Sequence, residues 1–388
     1  MTNKYLALVM LSIGCTACGL LESKHSGFQL PIPVGTTGIE PKVIDINQPS
    51  ARAELVEKMA DKRVLFIGEV HDSVEHHQNQ LRIIQTLYAR YPDIAIGTEY
   101  FQQPYQRFLD DYVAGRIDER EMLKKTEYYK RWKIDYRMLR PIFEFAREKH
   151  IPILALNVRE EIHNKVFKGG MKALSANELA ETPADIKPAN ENYRRRLKSI
   201  FDSHPPAASF DYFVDGVLLW DEGMADAAVR YLNERPQSRM VVLAGLVHVL
   251  YGDGIPERAN RRLGSSQSIV TVNGADFGQF ANIADYALTT ESSKESTEFP
   301  RAGKLGITLV DDIASMYISY FAPSSPAKMA GLELGDHIIS LDGEPVANLA
   351  ELKTVMFDKQ PSDRVQVTVR RDSLKTTDKE LRFVVQLN

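Results

Sequence analysis

From residue 41 onward, apolar and polar positions follow two periods. Four short runs, Val64–Gly68, Ile94–Thr98, Ile151–Asn157 and Met240–Leu246, have the near-continuous hydrophobicity of strands buried on both faces. Long stretches with helical spacing lie between them. That alternation predicts an α/β fold, a mostly parallel sheet covered by helices. The first helix is the most detailed: Asp72 followed by Glu75 reads as a capping box, and Leu81, Ile84 and Leu87 or Tyr88 recur on one face. It is expected to end near Arg90, before Tyr91-Pro92, and to carry His76 and His77 near the surface. A second helix begins around Leu139-Arg140-Pro141, with proline in its first turn, and His150-Ile151-Pro152 leads into the next strand.

The pattern breaks twice. Near Thr289 the polar run Thr-Thr-Glu-Ser-Ser-Lys-Glu-Ser-Thr-Glu cannot bury a core and reads as a linker. At the other end, Lys4 precedes an apolar run from Tyr5 to Gly14, which is far short of the ~20 residues that span a bilayer and reads as a signal-peptide core. The expected organisation is a signal peptide over 1–18, a flexible tether over 19–40, an α/β domain over 41–288, a linker over 289–302 and a small β-rich domain over 303–388.

Composition narrows the chemistry. A chain of 388 residues, 44% hydrophobic and 26% charged, is globular and long enough for two or three units. Its formal net charge of -4 carries no polyelectrolyte signature, so nucleic acid is not an expected partner. Arg194-Arg195-Arg196 and Arg261-Arg262 read as solvated helix faces. The only two cysteines, Cys15 and Cys18, fall in the signal region. The folded region therefore has no disulfide, thiolate zinc site or cysteine-ligated cluster, and any metal must use His, carboxylate, Tyr or Met.

Each of the four strands ends in a polar group: Glu69 and His71 after the first, Glu99 after the second, Asn157 after the third, His248 after the fourth. In open parallel sheets that edge is where ligands bind, which points to one shared pocket. Glu69 and His71, two apart, are expected to leave the sheet on the same side. His71-Asp-Ser-Val-Glu75-His76 has one residue too many for an H-x-x-E-H zinc motif, and there is no P-loop, G-x-G-x-x-G or G-x-S-x-G elbow. Two chemistries stay open. The cluster could bind a cofactor, or it could serve a hydrolase, esterase or protease, with Glu69 or Glu99 as general base and His71 and His248 as ligands of a divalent metal or proton carriers. A non-catalytic scaffold with merely structural strand ends is the third reading. Binding is preferred to turnover.

The motifs Gly68-Glu69-Val-His71-Asp72, Gly97-Thr-Glu99-Tyr100-Phe-Gln, Arg140-Pro141-Ile-Phe-Glu-Phe-Ala, Leu156-Asn157-Val-Arg159, Trp220-Asp221-x-x-Met224-Ala225, Gly245-Leu-Val-His248 and Gly254-Ile-Pro256-x-Arg258 together resemble the ChaN-type haem-binding lipoproteins. That group is related to the Tiki, TraB and erythromycin-esterase-like proteins. The resemblance implies haem binding in iron uptake, a tyrosine on the haem iron and a dimer. Glu69, His71, Glu99, Asn157, His248, Tyr251 and Arg258 would form the cofactor site, with Tyr251 the candidate iron ligand. Thr16-Ala17-Cys18 resembles a lipobox, so Cys18, or Cys15, would carry the lipid. Gly19 after Cys18 then suggests outer-membrane sorting, with the protein facing periplasm or surface. Gly303-Lys-Leu-Gly-Ile-Thr-Leu, Ser325 to Gly343, Leu349-Ala-Glu-Leu-Lys and Val365-Gln-Val-Thr-Val resemble a bacterial PDZ domain. Leu305, Gly306 and Ile307 would hold a peptide's terminal carboxylate, and the helix with Leu349 and Leu352 would form the opposite wall.

Overall fold

The computed structural model describes residues 39–289, apart from 133, 203–208, 265–267, 275, 276 and 279, and residues 302–388, apart from 312–315, 374 and 375. The signal run, Cys15, Cys18, most of the tether and most of the linker lie outside the described residues. Among the described residues no helix is long and apolar enough to cross a membrane.

Seven parallel strands form the first sheet: β1 (Lys42–Ile44), β2 (Val64–Glu69), β3 (Ile94–Gln102), β4 (Ile153–Asn157), β5 (Arg239–Gly245), β6 (Ser268–Asn273) and β7 (Tyr286–Leu288), in the order β1-β7-β6-β2-β5-β3-β4. Period-2 alternation divides β2 between two cores. Leu65 and Ile67 pack on one face with helices Val74–Arg90 and Arg140–Glu148, while Val64 and Phe66 pack on the other with helices Glu160–Gly169, Phe210–Glu234 and Ile255–Leu263. Both faces are covered, which is why β2, β3 and β4 are buried at every position.

The four expected strands are present, with ends shifted by one or two residues except that of β3, which runs on to Gln102. Strands β1, β6 and β7 were not expected. Two are only three residues long, and β6 interrupts its apolar run with Thr271 and Asn273. Those polar side chains are buried nonetheless, because Thr271 Oγ1 donates to the carbonyl of Phe66 at 3.0 Å and Asn273 Nδ2 to that of Gly68 at 3.1 Å.

Three local expectations are corrected. The first long helix is capped by Ser73, whose Oγ accepts from the His76 amide, so the helix starts at Val74 and Asp72 stays outside it. His76 and His77 are buried, not superficial, because this helix lays that face on the carboxyl end of β2. Arg196 is also buried, paired with Asp253, while Arg261 and Arg262 both reach the fully buried Glu222, at 3.2 and 2.6 Å.

The C-terminal domain is an antiparallel sheet of β8 (Ile307–Asp311), β9 (Met316–Phe321), β10 (His337–Leu341), β11 (Glu344–Pro345), β12 (Arg364–Ser373) and β13 (Thr376–Gln386). Helix Leu349–Met356, capped by Asn348, covers its core.

Candidate functional site at the carboxyl edge of the sheet

Parallel register sets the site. Glu69 lies opposite Gly245, and Thr98 opposite Leu243, so the ends of β2, β5 and β3 emerge side by side. Glu99 and Tyr100, consecutive on β3, turn to different partners.

On one side, Glu69 is fully buried and accepts from His71 Nδ1 at 2.9 Å, from Gln80 Nε2 and from the Tyr100 hydroxyl. His77, three residues before Gln80 on the same helix face, stands 3.4 Å from the second Glu69 oxygen, and its Nε2 is 2.9 Å from the His71 carbonyl. Burial alone would raise the Glu69 pKa, but the His77 charge and the bonds from His71 and His77 outweigh it and hold the carboxyl well below its ordinary value. Reciprocally, burial pulls His77 down, yet Glu69 raises it above its usual value. Burial and the Glu69 charge keep the Tyr100 phenol protonated.

On the other side, His248 follows β5 and its Nδ1 is 2.7 Å from Asp221 Oδ1, while the Tyr193 hydroxyl donates to Asp221 Oδ2 at 2.7 Å. Burial works against a charged His248, but Glu99 and Asp221 raise its pKa. Glu99 lies between the halves: its Oε1 is 3.8 Å from His71 Nε2 and 3.6 Å from His248 Nε2, and its Oε2 accepts from the Gly245 amide at 2.8 Å. Asn157 Nδ2 donates to the Glu99 carbonyl at 3.1 Å. Each imidazole thus has a carboxylate behind its Nδ1 and a shared carboxylate before its Nε2. This arrangement fixes tautomer and ring orientation.

The structure therefore gathers Glu69, His71, Glu99, Asn157 and His248 at one edge. A narrow cleft opens beside them between Trp132 and Trp220, lined also by Tyr100 and His163, with about 10 Å³ of open space. Trp132 meets the His71 ring edge-on at 5.0 Å. Among the described residues, no group of three or more His, Cys, Asp or Glu side chains closes round a metal position.

Tyr251 and Arg258 lie apart from these contacts. Tyr251 sits in a 3₁₀ turn beyond His248, at φ 62°, with the Arg196 guanidinium 4.1 Å above its ring. It is half-buried and, like Val70, Phe277 and Phe280, packs against the buried cluster of Leu246, Leu250, Val272, Ile283 and Ala287, and burial raises its phenol pKa against the opposing Arg196 charge. Arg258 is buried, 3.3 Å from Glu222, and donates to the carbonyls of Gly254 at 3.1 Å and Lys187 at 3.2 Å, so it ties loops together.

Sequence reasoning missed His77, Tyr100, Gln80 and Asp221. Tyr100 follows Glu99 and Asp221 follows Trp220 within the quoted motifs, which was the available signal; His77 and Gln80 carried none.

In the C-terminal domain, Gly306 takes φ +69° in the turn before β8, where a Cβ would approach the Pro326 ring to 2.9 Å. Leu305 is buried under it, and helix Leu349–Met356 faces β8, with the Leu349 amide donating to Asp311 at 3.1 Å.

Fold and site define an α/β protein with a buried acid–imidazole cluster at its sheet edge, joined to a β-rich module. The chain belongs to the haem-binding uptake, Tiki superfamily, ChaN family, whose family model matches residues 55–259, and a PDZ domain model matches residues 303–382. Among solved structures, the ChaN of Campylobacter jejuni with cofacial haem is 19% identical, with a TM-score of 0.49, covering 60% of this chain and 89% of that one. The PDZ domain of HtrA3 bound to a phage-derived ligand is 22% identical, with a TM-score of 0.19, over 22% of this chain and 85% of that one. The HtrA-type protease AlgW with a decapeptide is 15% identical over 22% of this chain and 29% of its own, with a TM-score of 0.20. No curated protein matches the chain.

Proposed function

We propose that this protein is a lipid-anchored envelope protein that binds haem for iron uptake and uses its C-terminal domain to engage the carboxyl terminus of another protein. The observation that carries the haem reading, beside family membership, is the half-buried Tyr251 phenol, packed with Val70, Phe277 and Phe280 against one apolar cluster and with a cation overhead. A phenol suits ferric iron, and the apolar side chains suit a porphyrin face. The cleft between Trp132 and Trp220 is far too small for a macrocycle. Tyr251 would hold the iron, which supplies the haem its redox and ligand chemistry. The chain's own part is to shield one face with Phe277 and Phe280 and to balance charge with Arg196. The anchor at Cys18 or Cys15, the outer-membrane location and the dimer belong to the same proposal.

Haemin titration of the protein lacking its first 18 residues tests it, with mass measured with and without haem. Saturable Soret growth that is lost or shifted in Tyr251→Phe supports the reading. Equal binding by wild type and variant removes Tyr251 as ligand, and unsaturable association defeats haem binding itself.

A second reading, metal-assisted hydrolysis, is favoured by one specific geometry. Both imidazole Nε2 atoms face the same Glu99 oxygen, at 3.8 and 3.6 Å, with Nδ1 of each held by a carboxylate. A divalent metal would draw those three groups inward, with His71, His248 and Glu99 as its donors. Metal content and esterase or peptidase activity of wild type and Glu99→Gln separate this reading from pure binding.

A further inference from the structure

The C-terminal domain rests against the wall of the cleft. Helix Leu349–Met356 packs on helices Glu119–Lys125 and Tyr128–Arg131 of the N-terminal domain. Phe357, the next residue, is buried in the N-terminal core, its ring 6.3 Å from that of Tyr136, with the guanidinium groups of Arg140 and Arg120 at 5.6 and 6.0 Å. Arg120 also pairs with Glu344 at 2.6 Å and Asp358 at 3.1 Å.

The helix so clamped leads straight into the site. It has only four residues, far too few to be stable alone, and is entered through Glu127 at φ 53°. Tyr128 is buried and stands edge-on to Tyr136, 5.4 Å away. Trp132 caps its end, the Trp132 amide donating to the Tyr128 carbonyl at 2.6 Å, and the Trp132 ring lies 5.0 Å from that of His71 and 5.4 Å from that of Tyr100. Helix Leu349–Met356 therefore meets two neighbours: its first residue bonds to Asp311 of β8, where a peptide groove is expected, and the helix packs on the segment that positions Trp132.

We propose that the peptide groove and the cleft are coupled through this segment, so that an extended carboxyl-terminal peptide between β8 and helix Leu349–Met356 acts as an effector of the cleft. A peptide that wedges the helix changes its seat on Tyr128–Arg131, and Trp132 moves with that helix. The peptide's part rests on the groove reading above; the contact chain from Phe357 to Trp132 stands without it.

The chain has two tryptophans, Trp132 and Trp220, and both line the cleft, so its intrinsic emission reports the cleft directly. Hydrogen exchange and emission are compared for the wild-type chain, Phe357→Ala and Arg120→Glu. The expected result is exchange over residues 128–132 at least about tenfold faster, with shifted emission, and recovery of both when Arg120→Glu is combined with Glu344→Arg and Asp358→Arg. Wild-type exchange and emission over 128–132 in both single variants overturn the proposal, whether or not residues 349–356 have loosened. Neither readout uses haem, so failure of the haem reading shows up separately as absent Soret growth. An extended carboxyl-terminal peptide that binds the wild-type chain without moving exchange over 128–132 or the emission also overturns the proposal, and absent peptide binding defeats the groove reading and with it the peptide as effector.

Discussion

His163 offers the most direct test of how burial sets the chemistry of this site. It lies on helix Glu160–Gly169, 4% exposed, with its ring stacked on Trp220 at 3.7 Å and 6°. Burial, aided by the neighbouring His248 charge, lowers its pKa from 6.5 to about 3. Because the folded value is the lower one, the unfolded chain takes up the proton first as pH falls. Stability is thus lost from about pH 6.5 downward, and the loss continues to about pH 3. At 1.36 kcal/mol per pKa unit, this one group removes about 2 kcal/mol between pH 7 and pH 5, a factor of about 30 in the unfolding constant. His163→Phe keeps an aromatic ring against Trp220 and removes both the titration and Nε2, a buried atom with no hydrogen-bond partner. Urea unfolding followed by tryptophan emission reports unfolding around the cleft, since Trp132 and Trp220 both line it. The variant should lose about 2 kcal/mol less than wild type between pH 7 and pH 5. His76, lowered by burial to about 4, titrates in both proteins and cancels in the difference. If the two proteins lose the same stability to within about 0.5 kcal/mol, burial is not holding His163 neutral.

Glu69→Gln should destabilise the N-terminal domain by about 3 kcal/mol near pH 6, because it removes the partner of His77 and His71 in a dry site. His77, raised by Glu69, contributes stability that is complete below pH 6.5 and lost as pH rises through its folded pKa. That alkaline decline should vanish in the variant, and urea titrations from pH 6 to 9 will show whether it does. Gly254→Ala would place a Cβ 2.1 Å from the His248 carbonyl oxygen, a backbone atom that cannot swing aside. A cost of about 2 kcal/mol or more is expected, together with an NMR pKa for His248 moved back toward its ordinary value; an unchanged His248 titration contradicts this. Gly306→Ala imposes both a positive φ and a 2.9 Å contact with Pro326, so the C-terminal domain should lose about 1 to 3 kcal/mol, read from exchange of the β12 and β13 amides.

How much of the site could be read beforehand follows from what carries each residue. Glu69, His71, Glu99, Asn157 and His248 were legible because a parallel sheet aligns its carboxyl ends, so a polar residue after each apolar run is brought to the same edge whatever the helices do. The fold class and both domains were legible for the same reason, since buried strands and amphipathic helices leave different periods. His77, Gln80 and Asp221 were not, because each sits on a helix whose rotation is decided by packing rather than by its own sequence. His77 illustrates the failure: with His76 beside it in a polar first turn, it looked solvated, yet the Ser73 cap sets the helix phase so that His77 faces Glu69. Asp221 holds Nδ1 of His248, while His77 and Gln80 brace Glu69, which in turn holds Nδ1 of His71. The pattern along the chain thus locates the edge and supplies the Glu69 that turns Nε2 of His71 toward Glu99, while the facing of helix Phe210–Glu234 brings in the Asp221 that does the same for His248.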